Sequence, residues 1–188
     1  MMQINFHPFP ILETSRLKLR QVQMSDAEAM FQLRSNPETM KYVSRPLAEN
    51  LDDAIAVIKM MEDKIESNEG INWAISLKGS TALIGVIGLY RIQQENYRSE
   101  IGYMLMPAFW GKGIITEAIP AVLTFGFQTL ALHSVEAIIE PENVASEKVL
   151  YKNGFVKEAH FIENEFFNGK FISTAVYSIL KRNFNQGQ

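Results

Sequence analysis

Along this chain apolar and polar positions alternate with period two in some stretches and with a period of roughly 3.6 in others, and the changes of period mark out its elements. Leu17 and Leu19 alternate with Lys18 and Arg20, which predicts a short strand. Ser25-Asp26-Ala27-Glu28 has capping-box spacing ahead of Met30, Phe31 and Leu33, so a helix is expected to run to about Asn36. From Asn50, itself a suitable cap, Ile55, Ile58, Met61 and Ile65 recur at helical spacing until Asn68-Glu69-Gly70 interrupts them. Trp73, Ile75 and Leu77 then restore period two. After a turn at Lys78-Gly79, the apolar run Ala82 to Ile92 and a strand from about Ser99 to Met106 complete an antiparallel meander. Beyond Pro107, Ile115, Ala118, Ile119, Val122 and Leu123 line one face of a helix ending near Leu130, which Pro120 is expected to kink or delay. Val135, Ala137 and Ile139 mark a strand, Asn143 to Asn153 a helix closed by Gly154, and strands around Val156–Phe161 and Phe171–Leu180 end the pattern. The order, approximately βααβββαβαββ, is that of an α/β protein with a mixed sheet.

Composition narrows the function. At 188 residues, with no internal repeat and no Pro/Ser/Gly-rich linker, the chain is expected to form one domain over residues 1–188. Its 47% hydrophobic content predicts a folded core, and a net charge of -3 argues against nucleic acid as the main partner. The absence of cysteine removes disulfides, Cys-ligated zinc, a thiol nucleophile and an enzyme-bound thioester, so any acyl chemistry must use other groups. The start lacks the features of a secretory signal and no stretch approaches about 18 uninterrupted apolar residues, so a soluble cytoplasmic protein with no membrane partner is expected. His7, His133 and His160 are scattered without metal-ligand spacing, and no metal is expected.

Three segments can carry chemistry. Trp110-Gly111-Lys112-Gly113-Ile114-Ile115-Thr116 lies between a strand and an amphipathic helix, where a glycine turn exposes successive N–H groups to an anion such as a pyrophosphate. It has neither P-loop nor Rossmann spacing, and Gly-Lys-Gly also serves as a plain tight connection. Asn143 can cap the helix that follows it, with Ser146 in the first turn on the same side. Glu100 opens a mainly apolar strand and Glu165 falls in the loop expected between the last two strands; either could act as a base, and either could simply be solvated.

Taken in order, Glu100-Ile101-Gly102-Tyr103-Met104-Leu105, Trp110-Gly111-Lys112-Gly113, Asn143-x-x-Ser146 and Asn153-Gly154-Phe155 resemble the GNAT N-acetyltransferases. The nearest likeness is to the RimJ/RimL branch, which acetylates N-terminal amines of ribosomal proteins. Arg16-Leu17-Lys18-Leu19-Arg20 and Glu165-Phe166-Phe167-Asn168-Gly169 extend it over nearly the whole chain. The resemblance implies the GNAT fold: a mostly antiparallel sheet of about seven strands with about four helices, splayed between the fourth and fifth strands.

In that splay the pantetheine arm of acetyl-CoA would lie against main-chain groups of Met104, Leu105 and Met106, like an added strand. N–H groups from Gly111 to Thr116 would surround the diphosphate, with Trp110 and Ile115 standing where the wider family has Gln/Arg and a small residue. The implied reaction is direct attack of a neutral amine on the thioester, with the Met104 amide as oxyanion donor. The resemblance assigns the base to Glu165 or Glu100, slightly favouring Glu165, the thiolate's proton donor to Ser146 and a CoA contact to Asn143. Leu150 stands where many GNAT enzymes have a tyrosine, and Ser173 where the branch often has Asp. The implied acceptor is the N-terminal amine of a protein, as in the ribosomal-protein enzymes of the branch; the alternatives are a small-molecule amine (polyamine, amino acid or antibiotic) and a CoA-binding module without catalysis. A homodimer pairing through the final strands is compatible with the resemblance.

Overall fold

The computed structural model describes residues 4–184. One sheet of eight strands runs through it: β1 (Leu12–Glu13), β2 (Leu17–Gln21), β3 (Ile71–Leu77), β4 (Gly85–Gln93), β5 (Arg98–Leu105), β6 (Ser134–Ile139), β7 (Val156–Phe167) and β8 (Lys170–Leu180). Their spatial order is β1-β2-β3-β4-β5-β6-β8-β7, antiparallel throughout except between β5 and β6. On one face lie α1 (Ala27–Ser35) and α3 (Leu51–Glu66), joined through the single turn α2 (Pro37–Met40); α4 (Ile114–Thr124) and α5 (Val144–Lys152) cover the other, and α6 (Lys181–Phe184) follows β8.

The mixed, mostly antiparallel sheet is as expected, with eight strands instead of about seven because a short strand, β1, is added at the start. β3 is buried along almost its whole length because both its faces are covered. Trp73 and Ile75 enter the core under α4, while Ala74 packs beneath α1 and α3. Asn50 caps α3 as expected, accepting from the Asp53 N–H at 3.1 Å while the Asp53 carboxylate accepts from Glu49 N–H at 2.8 Å. Among the described residues no helix is long and apolar enough to cross a membrane.

Three local expectations are corrected. Ser25 is exposed and does not cap α1. Its neighbour Asp26 is buried, accepts from Gln23 N–H at 2.8 Å and pairs with Arg20 at 2.7 Å, which outweighs a solvent-facing serine. Pro120 does not delay α4, which is regular from Ile114 and carries Pro120 inside it. The chain continues from Thr124 into a π-helical turn, Phe125–Thr129, whose buried Phe125 and Phe127 anchor it in the core. Glu165 lies in β7, opposite Ile172, and not in a loop. The turn is only Asn168-Gly169, with φ of 50° and 80°, left-handed values that suit an Asn-Gly hairpin and let the strands run on.

Candidate active site

β5 and β6 pair only where Arg98, Ser99 and Glu100 face Ser134, Val135 and Glu136. Beyond that point β5 stays with β4 through Leu105 and β6 with β8 through Ile139, so the two parallel strands part and a gap opens. The gap edge of β5 can be read from its hydrogen bonds. The Met106 N–H bonds the Ile84 carbonyl of the segment entering β4 at 2.9 Å, whereas the Leu105 carbonyl, pointing the other way, accepts from the Trp110 indole N–H at 2.7 Å. Peptide groups alternate along a strand, and the Val86–Met104 pair lies two residues along the same register. The Met104 N–H therefore turns toward β4, which corrects the oxyanion donor expected there; the N–H groups of Tyr103 and Leu105 face the gap.

At the end of β5 a short turn, Pro107–Phe109, leads into the glycine loop. Gly111 and Gly113 have φ of 71° and 72°, the left-handed region that only glycine enters without strain. Among the described residues no hydrogen bond uses any N–H from Gly111 to Thr116, so six successive donors are free at the N-terminus of α4. Ile115 is compatible with this because its side chain is buried in the core and leaves its amide uncovered. The Trp110 N–H is already bonded to the Pro107 carbonyl at 3.1 Å; half-exposed, its ring closes the loop by pinning Leu105.

Across the gap Asn143 caps α5, its side-chain oxygen accepting from Ser146 N–H at 3.1 Å. The Ser146 hydroxyl approaches the hydroxyl of Tyr103, three residues past the last β5–β6 pair. Burial pushes the Tyr103 pKa up to about 12, with Ser146 opposing weakly. Its Oη is buried, and among the described residues no group meets it with hydrogen-bond geometry. Leu150 is fully buried, and Tyr151 is half-exposed and stacks edge-on against Tyr177, 5.6 Å between centroids.

The opposite face of β5 carries Glu100, Gly102 and Met104. Tyr90 lies across Gly102 and Gly88: a methyl group on Gly102 would come within 2.9 Å of its ring. Burial raises the Glu100 pKa, Arg91 at 3.0 Å lowers it, and Glu136 and Glu165 raise it further. Glu165 is exposed on β7, near enough for its charge to reach Glu100. Glu100 and Glu165 are thus brought to one side of the gap, and Ser146 with Tyr103 to the other.

Two features escaped the sequence reading. Arg16 accompanies the glycine loop: its guanidinium bonds the Lys112 carbonyl at 3.1 Å and the Glu117 carboxylate at 2.6 Å. Glu117 also accepts from Thr14, Ser15 and the Arg16 N–H. Burial pushes its pKa up, but these hydrogen bonds prevail and hold it at about 2. Arg34, in the last turn of α1, reaches to 4.0 Å from the Met104 sulfur. Both contacts join residues roughly 70 to 100 positions apart, which no local pattern announces.

Residues 16–156 match the family described as the acetyltransferase (GNAT) domain. The chain is 39% identical over 173 residues to the uncharacterized N-acetyltransferase YoaA of Bacillus subtilis, covering 92% of this chain and 98% of that one. It is 35% identical over 113 residues to the putative ribosomal N-acetyltransferase YdaF of the same species, 60% of this chain and 61% of the relative. In fold it is similar to the spermidine N-acetyltransferase of Vibrio cholerae, solved with CoA and spermine, with a TM-score of 0.81 at 24% identity over 92% of this chain and 99% of that one.

Proposed function

This chain belongs to the GNAT acetyltransferase family and is an acetyl-CoA-dependent N-acetyltransferase, and from that premise we propose that it acetylates the N-terminal α-amine of a protein, nearest in kind to the RimJ/RimL branch. The observation that carries the proposal is the openness of the acceptor side. The hairpin bearing Glu165 is exposed along β7 and at its Asn168-Gly169 turn. The segment before Asn50 lines an open cleft of about 390 Å³ with Arg34, not a sealed pocket. A peptide end can enter such a groove. The name of YdaF, a putative ribosomal N-acetyltransferase, supports an acceptor of the ribosomal class.

Acetyl-CoA supplies an activated acyl group and a thiolate leaving group. In this reading the free amides from Gly111 to Thr116 hold its diphosphate, Trp110 and Lys112 flank the loop, and Asn143 and Ser146 border the arm. The gap-facing N–H of Leu105 is the donor aimed at developing negative charge on the carbonyl oxygen. Glu100 takes the amine's proton: its environment raises its pKa toward the working range of a base, while exposed Glu165 assists by like charge. An α-amine, with a pKa near ~8, needs less from that base than a lysine near ~10.4. Tyr103 and Ser146 together present hydroxyl donors to the leaving sulfur; Tyr103 stays protonated and so remains a donor. We also propose a homodimer formed along β7, an edge strand exposed almost throughout.

The test is a thiol-release assay with acetyl-CoA against N-terminal peptides and a panel of small amines. Transfer to peptide α-amines with kcat/KM well above that for spermidine is expected; transfer to small amines alone would refute the peptide acceptor.

A further inference from the structure

The face of the sheet on which the acceptor amine would meet Glu100 also holds a cation without a partner. Arg34 reaches over this face from the end of α1. One terminal nitrogen lies 4.0 Å from the sulfur of Met104, the residue next to the Leu105 donor, and its Nε is buried without a hydrogen-bond partner. Another cation, Arg45, and the phenol of Tyr90 act on its charge, and Glu49 and Asp53 line the same cleft. Among the described residues no carboxylate comes within ion-pairing distance of either Arg34 or Arg45. The protein's other partly buried arginines are all neutralised: Arg20 by Asp26 at 2.7 Å and Arg98 by Glu136 at 2.8 Å. A guanidinium held out of water beside a second one is costly unless an anion completes it.

Acidic groups gather at the other end of the same face. Glu100 lies within reach of the charges of Glu136 and Glu165, and Glu140 within reach of that of Glu165. Arg91 pairs with Glu100 and Arg98 with Glu136 at this end, whereas Arg34 and Arg45 at the other have no carboxylate in pairing range among the described residues, and the Tyr90 ring across Gly102 forms the floor between the two.

We propose that the acceptor carries a carboxylate close to its reactive amine, and that Arg34, with Arg45 behind it, is the subsite that binds this carboxylate. The inference rests on the acetyl-transfer reading above and sharpens it. The amine enters at the Glu100 end and the carboxylate meets the guanidinium, which can hold it through paired N–H donors. A linear polyamine would instead bring a second positive charge to two arginines. The carboxylate can come from an acidic residue next to a protein N-terminus or from a free amino acid; both present the same pair of charges.

The experiment compares matched acceptors with acetyl-CoA: a C-amidated peptide with aspartate as its second residue and its asparagine counterpart, free amino acids and their amides, and spermidine. In at least one pair the acid should exceed its amide by about tenfold or more in kcat/KM, the effect of one charge-assisted hydrogen bond. Preference within the peptide pair points to a protein terminus; preference only within the free pair points to an amino acid. Arg34→Gln should reduce the acid to the level of its amide, chiefly through KM, and Arg34→Lys should restore part of the preference. Arg45→Gln, at an exposed position where folding is not at risk, should narrow the preference in the same direction. Spermidine as the best acceptor of the wild type, or a preference that survives in Arg34→Gln, would overturn the carboxylate subsite while leaving acetyl transfer intact. Failure of every amine to release thiol would overturn the transfer reading itself.

Discussion

Two glutamates show how much a residue's chemistry is set by what surrounds it. Glu100 is partly buried with a single arginine and two carboxylates in range, and its pKa is raised; Glu117 is wrapped by four donors, and its pKa is held at about 2. For Glu100 the consequence is kinetic. The deprotonated form does the work, so kcat/KM should rise with pH through an apparent pKa above the usual carboxylate range. Glu100→Gln should abolish that limb and slow turnover by about 10²-fold, as removal of a general base does. Equal rates for the variant and the wild type across pH would move the role to Glu165. For Glu117 the consequence is stability. Its folded pKa lies below the unfolded value of about 4.5, so its contribution is complete above that pH and disappears as pH falls toward 2. Glu117→Gln should melt a few degrees lower than the wild type at neutral pH, on a scale of about 2–4 °C per kcal/mol for a chain of this size. Melting curves taken at successively lower pH should show that difference closing below about 4.5. Tyr103→Phe removes only an unpartnered hydroxyl, so it should leave acetyl-CoA affinity unchanged by calorimetry and lower kcat by about tenfold or more.

The loop from Trp110 to Gly113 acts through its backbone, so its value depends on conformation and not on the side chains it displays. Gly113 caps α4 at φ 72° with only the Arg16 guanidinium near the place a Cβ would take, 3.7 Å away. Gly113→Asp should weaken acetyl-CoA binding by about ten- to a hundredfold, because it strains the turn and sets a negative charge among donors awaiting a diphosphate. Isothermal titration reads this directly, and unaltered affinity would show that the diphosphate sits elsewhere. This element was legible in the sequence because all its determinants are local: two glycines, then an apolar helical stripe. So were the Asn50 and Asn143 caps and the meander of β3, β4 and β5. The Ser25 cap and the loop around Glu165 were misread for a common reason. Asp26 is recruited by Arg20, and β7 is prolonged by pairing with β8, and neither partner can be inferred from the local pattern. The Met104 donor failed on parity alone: one step along a strand exchanges its two edges, and resemblance gives the strand more securely than the step. Arg34 and the Arg16–Glu117 pair lay beyond any local signal.

At the scale of the molecule the sheet ends in an unusual edge. β7 closes the strand order, nearly all of it is exposed, and it shows solvent Val156, Phe161 at 51% and Ile162 at 77% exposure. A long apolar edge of this kind is a standing invitation to pairing, and soluble proteins ordinarily blunt it with charge, bulges or cover. Here Glu158, Glu163 and Glu165 supply charge and two irregularities interrupt the register with β8, but the apolar side chains between them remain bare. A second copy placed along β7 would cover them in a closed, two-fold arrangement. It would also steady the hairpin that carries Glu165, three residues from Ile162 on the same strand, and so tie assembly to the acidic end of the acceptor face. Ile162→Lys tests this without touching the core. Sedimentation should show the wild type as a dimer at micromolar concentration and the variant about tenfold or more weaker in association, the loss expected from an apolar residue central to an interface. Dilution of the wild type through its dissociation range should lower kcat in parallel, whereas a wild type that sediments as a monomer, or a rate per chain indifferent to dilution across that range, would separate the exposed edge from the chemistry.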